Sequence, residues 1–140
     1  MKITIINGAN LNLLGTREPE IYGNISFENY FEELKKKFPN VEFSYFQSNI
    51  EGEIVNFIQQ ASKNSNGIII NAGGYSHTSV VIADAIKASG KICIEVHISN
   101  IFAREQERHI SLISKYASGS IVGLGLEGYE LAVEFFNLKH

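Results

Sequence analysis

The sequence predicts an α/β fold, a three-layer sandwich with a five-stranded parallel sheet between two layers of helices. Three observations predict it. Strand-like and helix-like patterns alternate five times along the 140 residues. Three of the strand segments are apolar runs rather than alternating ones, as strands covered on both faces are. No linker, repeat or low-complexity stretch interrupts the pattern, so residues 1–140 read as a single domain.

The first strand is Lys2 to Ile6, followed by a long loop from Asn7 to about Asn24. The first helix runs from about Ser26 to Phe38, with Phe27, Tyr30, Phe31, Leu34 and Phe38 at helical spacing, Ser26 as N-cap and Pro39 as stop. The second strand, Val41 to Phe46, alternates apolar and polar residues. A helix from about Glu51 to Lys63 puts Ile54, Val55, Ile58 and Ala61 on one face. Gly67 to Ile70 is the third strand, and a helix over about Ser79 to Ala88 ends at Gly90. The fourth strand is Ile92 to Val96, with a helical segment expected from about Arg104 to Tyr116. Ser120 to Val122 is the fifth strand and about Tyr129 to Leu138 the last helix. Repeated βα units imply right-handed crossovers. Five of them in this length fit a flavodoxin-like arrangement.

Composition narrows the function. Hydrophobic residues make up 44% and charged residues 19%, as in globular domains. A net charge of −3 gives no electrostatic footprint for nucleic acid. No apolar run approaches the ~20 residues of a membrane span. Lys2 leads directly into the first strand, so no signal peptide is expected; a cytoplasmic location is, and the Asn24-Ile25-Ser26 sequon is read as chance. The one cysteine, Cys93, lies in an apolar run and reads as a buried structural thiol. No His, Asp and Glu spacing matches a metal site. Of the 15 acids only Asp84 is aspartate, and the three arginines are Arg17, Arg104 and Arg108.

In doubly wound sheets ligands bind beyond the carboxyl ends of the strands. Here those ends carry Asn7, Asn10 and Asn12, then Asn71 to Thr78, then His97 to Asn100. Asn, Gly and Ser suit loops for turn geometry alone. That explains one such loop better than three at the same edge, so a binding site is expected there. Arg17 and Tyr22 stand in the long first loop. A phenol with an ordinary pKa of ~10 needs a nearby cation to ionise near neutrality; Tyr22 could equally pack the loop onto the sheet. Asp84, among Val80, Val81, Ile82, Ala83, Ala85 and Ile86, either needs a partner or faces solvent. His97 either serves the site or is a hydrogen-bonded core histidine. His109 and His140 read as ordinary surface residues.

Gly123-x-Gly125-x-x-Gly128 matches the dinucleotide fingerprint, but only twelve residues follow it, too few for the required strand and acidic residue. A receiver module would need several acids at the strand ends. A flavin-phosphate site would need a Ser/Thr/Gly-rich first loop, where this chain has Asn7-Gly-Ala-Asn-Leu-Asn-Leu-Leu14.

Five ordered motifs carry a resemblance that covers nearly the whole chain. Gly15-Thr-Arg-Glu-Pro-Glu-Ile-Tyr-Gly23 resembles the lid of the type II 3-dehydroquinate dehydratases. Asn71-Ala-Gly-Gly-Tyr-Ser-His77-Thr-Ser-Val and Glu95-Val-His97-Ile-Ser99-Asn100 resemble that family's second and third motifs. Arg104-Glu-Gln-Glu-Arg108-His109 and Gly123-Leu-Gly125-Leu-Glu-Gly128-Tyr129 resemble its fourth and fifth. Ala72 stands where the family usually has proline. The resemblance implies dehydration of 3-dehydroquinate to 3-dehydroshikimate through an enolate, with no cofactor, metal or Schiff base. By the same resemblance Tyr22 would be the base, and Arg17 would favour its phenolate. His97 would be the general acid, oriented by Glu95, and Asn12 would hold a water that stabilises the enolate. Asn71, His77, Ser99, the backbone at Ile98 and Arg108 would bind substrate. Asp84 would reach a neighbouring subunit, in a homo-oligomer of trimers assembled into a dodecamer. An inactive homologue serving assembly or regulation is the rival reading, weakened by Arg17, Tyr22, His97 and Arg108.

Overall fold

Five strands form one parallel sheet: β1 (Lys2–Asn7), β2 (Glu42–Gln47), β3 (Gly67–Asn71), β4 (Ile92–His97) and β5 (Gly119–Val122). Their order is β2-β1-β3-β4-β5. The computed structural model that gives this arrangement describes residues 1–16 and 18–139. The helices are α1 (Pro19–Tyr22), α2 (Phe27–Lys37), α3 (Glu51–Asn64), α4 (Val80–Ser89) and α5 (Glu127–Lys139). From β1 the chain passes to β2 on one side and then crosses back to β3 on the other. The strand order therefore reverses between β1 and β3, which is where such sheets open a crevice.

Side-chain alternation along each strand divides the core in two. Ile3, Ile5, Ile69, Ile94 and Val96 pack with Phe27 and Leu34 of α2 and with Tyr129, Ala132, Val133 and Phe136 of α5. Ile6, Ile68, Ile70 and Cys93 pack with Ile54, Ile58 and Ala61 of α3 and Ile82, Ala85 and Ile86 of α4. The central strand β3 is buried at every residue, whereas β2 at the edge is exposed or half-buried throughout, as its alternating sequence requires.

Two helix starts are capped by serine hydroxyls, that of α2 by Ser26 as expected. Ser26 Oγ accepts from Asn29 N at 3.2 Å, and Ser79 Oγ from Ile82 N at 3.1 Å. Helix α4 ends at Gly90 in the left-handed conformation, φ 64°. Among the described residues no helix is long and apolar enough to cross a membrane.

One expected element is corrected. The segment from Arg104 to Tyr116 is not a helix. It holds a 3₁₀ turn at Gln106–Arg108, after another at Ile101–Ala103, and continues as bends and turns. Its polar groups find partners that compete with a helical ladder. Leu112 N donates to Ser76 O at 2.8 Å, the His109 ring bonds Arg104 O at 2.8 Å, and the Ser111 hydroxyl turns away to Glu95. The long first loop also contains more structure than expected, a 3₁₀ turn at Leu11–Leu13 and the four-residue α1.

Candidate active site

The carboxyl ends of β1, β3 and β4 open into one cleft, roofed by the loop after β1. Its lining includes Tyr22, Asn71, His77, His97, Ile98, Ser99 and Arg108, seven of the residues singled out from sequence. The close seam between the β1 and β3 loops depends on a missing side chain. Gly8 N donates to Asn71 O at 2.7 Å, and a Cβ on Gly8 would fall 2.3 Å from Ala72 O. Only glycine lets these two turns meet.

His97 closes β4 and is 5% exposed. Glu95, two residues earlier, shares its face of the strand. His97 Nε2 lies 2.7 Å from Glu95 Oε2. Glu95 is 1% exposed, so its charge needs partners. Two serines supply them: Ser111 Oγ donates to Oε2, and Ser120 Oγ, from the register partner of Glu95 on β5, donates to Oε1 at 3.0 Å. Burial alone would raise the Glu95 carboxyl. The hydrogen bonds from His97, Ser111 and Ser120 outweigh burial and hold it below its ordinary value. The result is a fixed carboxylate under a fixed imidazole. The His77 ring lies alongside, 6.0 Å from that of His97, with its Nδ1 2.8 Å from Ile110 O.

Tyr22 approaches from the other side, at the end of α1. Arg104 Nη1 donates to Tyr22 Oη at 2.8 Å and to Ser99 Oγ at 3.2 Å. Its guanidinium carbon lies 5.7 Å from the centre of the Tyr22 ring. Among the described residues a cation beside the phenol is Arg104, whose site role was not assigned from sequence. The available signal was weak: Arg104 opens the fourth motif, but 82 positions separate it from Tyr22. Arg17, the residue chosen from sequence, lies outside the described residues, as does His140. Arg108 lines the cleft with Nε bonded to Glu105 Oε1 at 2.5 Å.

Two expected site residues stand apart from the cleft. Asn12 is exposed on the Leu11–Leu13 turn and is not among the lining residues. Asp84 is exposed on α4, beside Val80 and Val81, which are 61% and 50% exposed. The solvent-facing alternative describes Asp84 within one chain. Glu95 does not line the cleft either and lies behind His97, bonded to its Nε2. Among the described residues no group of three or more His, Cys, Asp and Glu side chains could hold a metal.

A phenol on a guanidinium and an imidazole on a carboxylate, facing one polar cleft, can take and give a proton on the same small molecule. Comparison with known proteins agrees. The family model for class II dehydroquinases matches residues 1–137. A 3-dehydroquinate dehydratase of Fusobacterium nucleatum is 54% identical, over 98% of this chain and 99% of its own length. A type II dehydroquinase crystal structure from Butyrivibrio crossotus superposes with a TM-score of 0.92 at 48% identity, covering 98% of this chain and 97% of that one. Another, from Propionibacterium acnes, reaches 0.94 at 39% identity over 98% and 96%. On the sequence match over nearly its whole length, and on the fold that accompanies it, this chain belongs to the class II dehydroquinase family.

Proposed function

We propose that the chain catalyses the dehydration of 3-dehydroquinate to 3-dehydroshikimate, a step of the shikimate route to aromatic compounds. The observation that carries the reading is the pair of proton-transfer groups across one cleft: Tyr22 on Arg104, and His97 on Glu95.

The reaction needs one proton removed and one delivered. Tyr22 Oη, as phenolate, takes a proton from the carbon beside the ketone, and the electron pair delocalises into an enolate. The Arg104 guanidinium offers the phenolate a counter-charge, and Arg17, in the same loop as Tyr22, is a second candidate for that part. The enolate then expels the β-hydroxyl as the new carbon–carbon double bond forms, and His97 protonates the departing oxygen so that it leaves as water. With Nε2 engaged on Glu95, Nδ1 is the nitrogen left to exchange that proton. Glu95 gives the imidazolium a buried counter-charge. Asn71, His77, Ser99, the Ile98 backbone and Arg108 would bind the substrate's hydroxyls and carboxylate, a reading supported by their all lining the cleft. Arg108 suits the carboxylate because its planar fork can bind both oxygens. Asn12 would contribute through a water at the enolate oxygen; its exposed position lends that role no added support.

No step calls for a metal, flavin, nicotinamide or lysine imine. Assembly into trimers and then a dodecamer belongs to the reading by resemblance to the family; the exposed Val80 and Val81 beside Asp84 offer a surface that a second copy would cover. Asp84 would then meet the neighbouring site. A cytoplasmic location accords with such a metabolic role.

An ultraviolet assay for the conjugated enone acid tests the reading. The purified protein should form it from 3-dehydroquinate, retain activity after exhaustive chelation, and remain unmodified by borohydride in the presence of substrate. No enone at all would overturn the reading. A lysine adduct, or activity restored only by metal, would overturn the mechanism.

A further inference from the structure

The glycine-rich run that leads into the first turn of α5 plays no part in the chemistry just described, yet it places a side chain that bonds a cleft-lining residue. A Cβ on Gly128 would come within 3.1 Å of Val96 Cγ1 and 3.4 Å of Ile121 Cγ2. Without that methyl, the first turn of α5 lies close against β4 and β5, and the next residue, Tyr129, enters the core. Tyr129 is 0% exposed, with its ring centroid 4.9 Å from that of Phe27 and 6.1 Å from that of Tyr30.

The phenol ends at the switch point of the sheet. Tyr129 Oη donates to Asn7 Oδ1 at 2.7 Å and accepts from Asn71 Nδ2 at 3.0 Å. Asn7 and Asn71 are register partners at the ends of β1 and β3. Asn71 Oδ1 accepts from Gly73 N at 3.1 Å, which settles which end of the amide is oxygen. Burial raises the Tyr129 phenol far above its ordinary range, so it keeps its proton and its bonds keep their direction. The relay therefore runs one way, from Asn71 through Tyr129 to Asn7. At its far end it stops at the Asn7 amide, which is fully buried. What it does fix is Asn71, which lines the cleft.

We infer that Tyr129 is a positioning residue for substrate binding, its buried phenol holding the Asn71 amide in one orientation at the cleft wall. In that orientation one N–H and one oxygen lone pair of Asn71 are left for substrate hydroxyls. The inference rests on the dehydration proposed above.

The test is a double-mutant cycle on steady-state kinetics. Tyr129→Phe keeps the ring and removes the hydroxyl that accepts from Asn71 Nδ2, leaving the amide held only through the Gly73 N–H on its oxygen. KM for 3-dehydroquinate should rise roughly five- to tenfold, the effect of one oriented hydrogen bond, while kcat changes less. In an Asn71→Ala background the same substitution should leave KM where Asn71→Ala put it. If Tyr129→Phe does not fold, Asn7→Ala takes its place. It removes the acceptor that directs the phenol and should raise KM several-fold, again only when Asn71 is present. Unchanged KM in the single variant, or equal effects with and without Asn71, would overturn the inference while leaving the dehydratase reading intact. Failure of the parent to make the enone would overturn both.

Discussion

The two halves of the cleft are built in opposite ways. The His97 half belongs to the sheet: a strand-end imidazole, 5% exposed, sits on a carboxylate that two serines from different segments also hold. The Tyr22 half belongs to a loop. Its phenol ends a four-residue helix with no buried residue, and Arg104 reaches it from another loop. Backbone strain follows the same division. Among the described residues two non-glycines adopt positive φ, Asn10 at 69° and Glu18 at 44°, and both lie in the first loop. Residues in such conformations tend to gather at lids and clamps. Under the proposed mechanism the difference separates two tasks. A proton donor gains from being fixed before substrate arrives, whereas the base must come down on a substrate that has first to enter.

The comparison breaks if the loop half is only a cover. Tyr22→Phe keeps the ring and should lower kcat on the order of 10²–10⁴-fold while binding changes little. A rate within a few-fold of the parent would end the case for Tyr22 as base. Arg104→Met should cost less, because the phenol stays in place. A fall in kcat of roughly a hundredfold is expected from loss of one guanidinium at a developing charge. If Arg17→Met has the larger effect, the cation that matters is Arg17.

The sheet half gives a prediction in pH as well as in rate. Glu95→Gln should lower kcat, with an unfolding midpoint that responds less to acid. The sign follows from the direction of the shift. The folded carboxyl lies below its ordinary value of 4.5, so ionised Glu95 stabilises the fold above that value. That contribution fades as the pH falls from 4.5 through the lower folded value. Denaturant midpoints at several pH values would therefore fall more steeply for the parent than for Glu95→Gln in this window. Parallel curves would mean that the buried carboxylate gives no such stabilisation. The smallest effect concerns Ala72. Its φ of −77° lies within the range proline adopts, and the preceding Asn71 is in a strand. Ala72→Pro should stabilise by about 0.4–1 kcal/mol through the unfolded chain, with unchanged kcat. A loss of stability would show that the ring does not fit at this turn.

Much of this was legible in the sequence for reasons that can be named. The strands showed as apolar runs because both faces of β3 and β4 are covered. Glu95 and His97 could be paired because two residues along a strand restore the same face. Arg104 as the partner of Tyr22 was not legible. Proximity in sequence favoured Arg17, which lies outside the described residues, whereas the observed contact joins the loop after β1 to the loop after β4, 82 positions apart. Ser111 and Ser120 gave no signal either, since nothing in an isolated serine says that it will satisfy a buried carboxylate. The segment after Arg104 misled because charged and apolar residues alternated at tolerable helical spacing. Its real partners, Ser76 and Glu95, are tertiary.

The late position of two supporting residues bears on when the molecule becomes competent. Tyr22, His97 and Arg104 have all left the ribosome before Ser120 and Tyr129 do. A nascent chain that stops short of β5 carries every group proposed for proton transfer, but its Glu95 lacks the Ser120 hydroxyl and its Asn71 the Tyr129 phenol. It also leaves β4 as a bare edge and the α5 side of the sheet uncovered, the kind of surface that associates with other chains. Chemistry and solubility would then arrive in the same step, the docking of the last strand and helix. Chains truncated before residue 119 should be both inert and aggregation-prone, whatever active-site residues they retain.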